Sequence, residues 1–216
     1  MSIDDQKQQA RNVARSNRKS IPDRSRLNNS ICRHTIDSTM WSQSTCVLTY
    51  FAAGSEVDLS ELFVSSEGKH ADDLVKQSPT VGTRGPKTFG APIVEGENMR
   101  FGHVRIKEDG SPQTTLGPYG LREPDGPPIT VSEVGLVLVP LLAYDTNGNR
   151  LGSGKGFYDR FFAANPELGE HAVIMGIAYS AQCVDALPTE PHDYPLDAVV
   201  TELGIATWRT FKRSSR

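Results

Sequence analysis

The run Leu-Gly-Ser-Gly-Lys-Gly-Phe-Tyr-Asp at residues 151–159 carries the strongest chemical signal in the chain. Gly152, Gly154 and Gly156 alternate with Ser153 and Lys155. Glycines spaced in this way let backbone N–H groups turn inward, and a helix opening at Phe157 adds the partial positive charge of its N-terminus. An apolar strand precedes the loop, broken at the turn residues Asp145, Asn147 and Gly148. Strand, glycine loop and helix N-terminus outline a phosphate site, with Lys155 as its cation. Two familiar loops do not fit. A Walker A loop needs Gly where Asn149 stands and Ser or Thr where Gly156 stands, and the dinucleotide pattern needs its third Gly later than Gly156. The plainer alternative is a loop whose glycines merely turn the chain.

Other residue types could also do chemistry. Lys7, Arg11, Arg15 and Arg18 fall at helical spacing, which places four cations on one face of a helix. Such a stripe is ordinarily solvated. Glu56 follows a Tyr50-Phe51 pair, and an acid there also suits a helix N-terminus. His192 with Asp193 and Asp197 suggests zinc only weakly, because no second His or Cys stands at ligand spacing. Cys32, Cys46 and Cys183 are odd in number and lack metal-ligand spacing, so three reduced thiols in a cytoplasmic protein are expected.

The elements that must position these groups are readable in outline. The 216 residues make one domain, 1–216, with a core over 3–205 and a tail over 206–216. The net charge of −3 gives no overall electrostatic case for nucleic acid, so any anion site must be local. The polar, acidic start is not a signal peptide, and no apolar run approaches the roughly 18 residues that span a membrane. Residues 3–19 read as a helix, free of Gly and Pro with Asp4 and Asp5 at its start. A second helix is expected over 23–41, a strand over 46–52 and a short helix beyond Asp58. Segments 90–94 and 98–106 read as antiparallel strands, Met99 and Phe101 alternating with polar residues. Residues 65–90 are polar and irregular, and Arg84 and Lys87 read as solvated loop charges. The continuous apolar run 134–142 implies a strand covered on both faces, and 171–179 a second one. With the loop and helix between them these form a βαβ unit, whose ligand belongs at the carboxyl ends of the strands. A last strand is expected over 198–201.

Taken together, these motifs resemble the 5-formyltetrahydrofolate cyclo-ligase (5,10-methenyltetrahydrofolate synthetase) family. Its signature run, Asp-x-x-Gly-x-Arg-Leu-Gly-x-Gly-Lys-Gly-Tyr/Phe-Tyr-Asp, stands here as Asp145 to Asp159. Lys7 and Arg11 match its first-helix Lys-x-x-x-Arg pair, which the resemblance puts at the nucleotide. It leaves Arg15 and Arg18 as surface residues or weak helpers. Phe51 and Glu56 match positions that face the folate, a carboxylate suiting the adjacent N–H donors of a pterin. Met99 matches a folate-lining position, though simple core packing fits it as well. Tyr119 and Gly120 match a Tyr/Phe-Gly-Ile-x-Glu-Pro run whose aromatic lies near the pterin. Asp159 and Asp197 match magnesium positions, while His192 and Asp193 are expected to order their loop.

The resemblance implies an α/β fold: a three-layer α/β/α domain with a largely parallel mixed sheet, like the sugar-phosphate isomerases and coenzyme A transferases. It implies ATP-dependent closure of 5-formyltetrahydrofolate to 5,10-methenyltetrahydrofolate by a magnesium-using cytoplasmic monomer, without nucleic-acid or membrane partners. Arg150, Leu151, Gly152, Ser153, Gly154, Lys155, Gly156, Phe157 and Tyr158 would line the ATP site, with Lys155 and Arg150 in catalysis. Phe157 and Tyr158 would also wall the folate. Ser153 departs from relatives that carry a larger residue there, including Arg. Two competing expectations remain: another enzyme on the same scaffold, needing no ATP, and a binding protein that keeps the pocket without turnover.

Overall fold

The computed structural model describes residues 1–65 and 87–208. Its strands, in chain order, are β1 (Cys46–Leu48), β2 (Thr88–Glu95), β3 (Asn98–His103), β4 (Thr114–Leu116), β5 (Arg122–Pro124), β6 (Val134–Pro140), β7 (Ala143–Asp145), β8 (Arg150–Leu151), β9 (Val173–Ile177), β10 (Cys183–Val184), β11 (Ala198–Thr201) and β12 (Gly204–Thr207). The helices are α1 (Ile3–Lys19), α2 (Arg24–Ile36), α3 (Thr39–Gln43), α4 (Ser60–Ser65), α5 (Phe157–Ala164) and α6 (Leu168–His171).

The main sheet has seven strands in the order β12-β11-β9-β6-β1-β2-β3. β11, β9, β6, β1 and β2 run parallel, and antiparallel β12 and β3 close the two edges. β6 lies at the centre because its side chains are apolar on both faces. Leu136 and Leu138 join Ile31, Leu59 and Leu62 in one core, under α2 and α4. Val137 and Val139 join Phe161, Phe162 and Leu168 in the other, under α5 and α6. β9 divides likewise, with Met175 and Ile177 on the first face and Ile174 on the second. Full burial of a leucine contributes about 1.5–3 kcal/mol, so two such cores hold the layers together. The expected three-layer α/β arrangement with a mostly parallel sheet is what forms.

The sheet reverses direction at its middle. From β1 the chain moves one way to β2 and β3. From β6 it moves the other way to β9, β11 and β12. The carboxyl ends of β1 and β6 therefore flank a switch point, where open α/β sheets leave a crevice.

Several expected bounds are corrected. The helix foreseen over 23–41 breaks between α2 and α3, where Ser38 caps the new start by accepting from the Trp41 amide at 3.0 Å. Hydroxyl capping of this kind competes with helix continuation. The strand foreseen over 46–52 ends at Leu48, and that over 98–106 at His103. The runs at 134–142 and 171–179 pair only over Val134–Pro140 and Val173–Ile177. Residues 206–208 do not belong to a tail. Ala206 and Thr207 pair in β12, and the Trp208 indole donates to the Thr146 carbonyl at 2.7 Å. A Cβ at Gly148 would lie 2.9 Å from the Trp208 ring, so only glycine lets the two pack. Lys87 is not a solvated charge. Its ammonium donates to the carbonyls of Trp41 and Ser44 at 2.7 and 2.6 Å, closing the end of α3. Arg84 and the tail residues 209–216 lie outside the described residues.

Candidate active site

The helix α1 begins in a capping box, Ser2 accepting from the Asp5 amide while Asp5 accepts from the Ser2 amide. It then packs with its charged face inward. Lys7 and Arg18 are only 5% and 9% exposed, whereas Val13 on the opposite side is 55% exposed. The Lys7 ammonium donates to Glu190 Oε2 at 2.8 Å and Asp193 Oδ2 at 2.6 Å. Arg11 donates to the Gly152 carbonyl at 3.3 Å and Arg15 to the Ser153 carbonyl at 2.8 Å. Arg18 donates to Ser55 Oγ and to the Leu141 carbonyl, each at 3.0 Å. The four-cation stripe is thus a seam that joins α1 to the segment at 190–193, to the glycine loop, to the turn that follows β1 and to the residue just beyond β6. Arg15 and Arg18, expected as surface residues or weak helpers, both take part in that seam, and Arg18 is buried in it.

Buried Asp145 shapes the entrance to the loop. Its carboxylate accepts from the amides of Asn147, Asn149 and Leu187 and from the Asn149 side chain, at 2.9–3.1 Å. β7 and β8 then pair across this turn. Gly154 and Gly156 have φ of +97° and +65°, conformations that strain other residues. A Cβ at Gly154 would also stand 3.1 Å from Arg11 Nε. Arg160 donates to the carbonyls of Glu97 and Lys155, tying the loop's far end to the β2–β3 turn. Lys155 itself is exposed, its ammonium 3.2 Å from the centre of the Tyr119 ring. Tyr119 holds a left-handed backbone at φ 64° and is 63% exposed.

Arg150 is not open at the loop entrance. Its side chain is 4% exposed, and its Nη2 pairs with Asp159 Oδ1 at 2.6 Å. Asp159 Oδ1 also accepts from the Tyr194 amide at 3.3 Å. Asp197 Oδ2 accepts from the Ile174 amide at 2.9 Å. Among the described residues, the one group of three or more side chains with metal-ligand closeness is Glu190, His192 and Asp193. Its two carboxylates already face the Lys7 ammonium, so a cation has its place there, and His192 is exposed. Burial works against the charge on Asp193, but hydrogen bonds from Lys7 and the Glu190 amide hold it below the usual carboxylate range.

On the far side of the switch point, the Tyr50 hydroxyl donates to the Val57 carbonyl at 2.9 Å. The Glu56 carboxylate accepts from the Ala53 amide at 3.0 Å. Burial pushes the Glu56 carboxyl up, and the Ala53 amide and the Arg18 charge act against that rise. Tyr158 feels the same carboxylate. Its hydroxyl is buried without a hydrogen-bond partner among the described residues, as is Arg150 Nε. Buried polar groups are nearly always hydrogen-bonded, to protein, water or a bound molecule. Phe51 lies under the Arg122 guanidinium at 5.3 Å. Met99 lines a small hollow with Leu48, Phe101, Ile129 and Phe161.

The glycine loop and the buried Glu56 carboxylate are linked through Tyr158, which stands in the first turn of α5 and lies in the field of both Glu56 and Arg150. The chain matches the 5-formyltetrahydrofolate cyclo-ligase family over residues 3–202. It belongs to that family. A Saccharomyces cerevisiae 5-formyltetrahydrofolate cyclo-ligase is 36% identical over 82% of this chain and 77% of its own. A mitochondrial 5-formyltetrahydrofolate cyclo-ligase of Arabidopsis thaliana is 26% identical over 94% and 76%. The solved Aquifex aeolicus 5,10-methenyltetrahydrofolate synthetase superposes with a TM-score of 0.71 at 27% identity, covering 97% of this chain and 96% of that one. As a cyclo-ligase family member the chain is an enzyme. Of the family's motif positions, Arg11 reaches the loop at Gly152, Tyr119 lies against Lys155 and Tyr158 lies in the field of Glu56, whereas Lys7 pairs with Glu190 and Asp193. Sequence reading missed Arg18, Glu190 and Asp145 as determinants of the site's shape. The helical spacing of Arg18 was a signal, but only the fold shows where that face points.

Proposed function

We propose that this chain catalyses the ATP-dependent cyclisation of 5-formyltetrahydrofolate to 5,10-methenyltetrahydrofolate, releasing ADP and phosphate. One observation carries the reading: Tyr158, in the helix that the glycine loop opens, has its buried hydroxyl in the field of the buried Glu56 carboxylate, so the loop and the acid share a neighbour. A formyl group on nitrogen is a poor electrophile, and its oxygen is a poor leaving group. Transfer of the γ-phosphoryl group to that oxygen corrects both. N10 then attacks the formyl carbon, the C–N bond forms, and the C–O bond breaks as phosphate leaves.

Most of what phosphoryl transfer asks of a protein is position and neutralisation. The amides of Gly152–Gly156 bind phosphate oxygens, and Lys155 leaves the Tyr119 ring to meet the transferring group. Arg11 and Arg15 hold the loop from α1. Arg150 acts by fixing Asp159. Glu56 accepts from the pterin N–H groups, Phe51, Phe157 and Tyr119 supply ring faces, and the Tyr158 hydroxyl gains its missing partner. The donor set fits magnesium: Asp159 takes its hydrogen bonds on Oδ1, which leaves Oδ2 to coordinate, and Asp197 is the second carboxylate. The ion would neutralise phosphate charge.

The test is growth of the methenyl absorbance from 5-formyltetrahydrofolate with and without MgATP. Product only with MgATP is expected. Turnover without ATP, or none at all in folded protein, overturns the reading. Asp159→Asn should raise the magnesium needed for half-maximal rate, and a wild-type magnesium titration would remove Asp159 from the metal site.

A further inference from the structure

We propose that Arg18 is a positioning residue for folate, pinning the Ala53–Glu56 turn so that the Glu56 carboxylate faces the pterin. The inference rests on the Glu56 role just described and adds what holds that carboxylate in place.

Arg18 is deep in the molecule, yet neither of its partners is charged. Its Nε bonds the Ser55 hydroxyl, on the turn after β1, and its Nη1 bonds the Leu141 carbonyl, just beyond β6. One guanidinium therefore spans the two strand ends that bound the crevice. Both partners are themselves fixed. Gln182 donates to the carbonyls of Leu141 and Leu142 at 2.9 and 3.0 Å. The turn is closed by the Glu56 amide on the Ala53 carbonyl at 3.2 Å and the Ala53 amide on Glu56 Oε2. Ser55 is itself buried, so the Arg18 bond sets the height of the turn and the aim of the next side chain.

A buried cation with only neutral partners is costly unless a carboxylate lies within its field. Glu56 supplies that charge, and it is the largest influence opposing the burial of Arg18. Among the described residues, the charged and titratable groups that interact with Glu56 are Arg18 from α1, Tyr50 from beyond β1 and Tyr158 from α5. Arg18 is the cation among them. Its fixed charge favours the ionised carboxylate that a pair of pterin N–H donors requires.

The experiment measures Michaelis constants for both substrates and the pH profile in the full-length enzyme. Arg18→Met should raise the folate Michaelis constant about tenfold, the scale of one hydrogen bond to a charged group. The ATP constant should stay within about twofold, since the Arg18 hydrogen bonds go to Ser55 and Leu141 and not to the glycine loop. The acid limb of kcat/KM for folate should move to higher pH, because Glu56 without its cation protonates sooner as pH falls. Arg18→Lys should restore the acid limb but only part of the affinity, since an ammonium cannot bond both partners in the guanidinium geometry. Should Arg18→Met not fold, Ser55→Ala serves. It cuts the tie to the turn and must weaken folate while sparing ATP.

A folded Arg18→Met or Ser55→Ala enzyme with unchanged folate constant overturns the proposal. So does one whose two substrate constants rise together with the acid limb unmoved. Glu56→Gln separates the two levels of argument. If it leaves folate binding intact, the Glu56 role fails and the Arg18 role with it. If Glu56→Gln weakens folate and the Arg18 variants do not, only the Arg18 inference falls.

Discussion

Lys7 is 5% exposed, its ammonium held between Glu190 and Asp193. Lys155 is in the open, its ammonium resting on the ring of Tyr119. Both lysines occupy positions expected at the nucleotide, but the protein has spent the charge of one and kept that of the other. An ammonium flanked by two carboxylates adds little net attraction for an incoming phosphate. It fastens α1 to the segment at 190–193. An ammonium on an aromatic face keeps its full charge and can leave at small cost. Under the proposed function, the difference gives geometry to the first lysine and transition-state charge to the second.

The sharpest way to break this contrast is at Lys155. Lys155→Ala should lower kcat by roughly 10²–10³, as when one electrostatic stabiliser is lost, with a smaller rise in the ATP Michaelis constant. Steady-state methenyl formation at saturating folate measures it, with circular dichroism as the folding check. A folded variant within about threefold of wild type, far short of that loss, would show that the loop does not carry the chemistry.

Asp193→Asn tests the other half. Lys7 keeps Glu190, so the expected loss is about 1–2 kcal/mol of stability for a partly exposed member of the pair, with kcat nearly unchanged. The pH dependence has a definite sign. The folded Asp193 carboxyl titrates below its ordinary value, so its contribution is complete above the ordinary carboxylate range and fades as pH falls through the folded value. Burial opposes the Lys7 charge, but Asp193 and Glu190 raise its titration overall, so that contribution persists up to the ordinary lysine range and is lost only above it. Thermal melts should therefore show the Asp193→Asn penalty at neutral pH and its disappearance in acid. A large fall in kcat with no loss of stability would reverse the roles of the two lysines.

The smallest effect is expected at the ring. Tyr119→Ala frees Lys155 from a contact worth about 0.5–1 kcal/mol at an exposed site, so the ATP dissociation constant without folate should fall by about two- to fivefold. Calorimetry decides it. A rise instead would mean that the ring presents the lysine to the phosphate rather than storing it.

The readable parts of this molecule were those whose signal is local. The bounds of α1 follow from Asp4, Asp5 and the lack of Gly or Pro, and the glycine loop announces itself by spacing alone. Val134–Pro140 was legible as a central strand because apolar side chains on both faces leave no other comfortable place for it. What stayed hidden depends on partners distant in sequence. Lys7 meets Glu190 across 183 positions and Arg18 meets Leu141 across 123, so spacing could group the cations but not say which way they face. The break between α2 and α3 turns on one serine hydroxyl. β12 is a short, half-polar edge strand whose pairing depends on β11 already being in the sheet. The aim of Glu56 was inferred from a motif, and the burial that gives the carboxylate its character comes from the fold.

The bond between the Trp208 indole and the Thr146 carbonyl has a practical reading. Thr146 sits in the Asp145–Asn149 turn that feeds the glycine loop, and the carbonyl of Gly148 in that turn accepts from the Leu196 amide. Residues 204–208 are thus a bolt on the turn that feeds the glycine loop rather than an ornament on the sheet. Trimming by a carboxypeptidase past residue 208, or a fusion partner that draws β12 away, would loosen the loop before it disturbed either core. By linkage, anything that fills the loop must tighten the bolt. Protease access at β12 and occupancy of the glycine loop become two readings of one equilibrium.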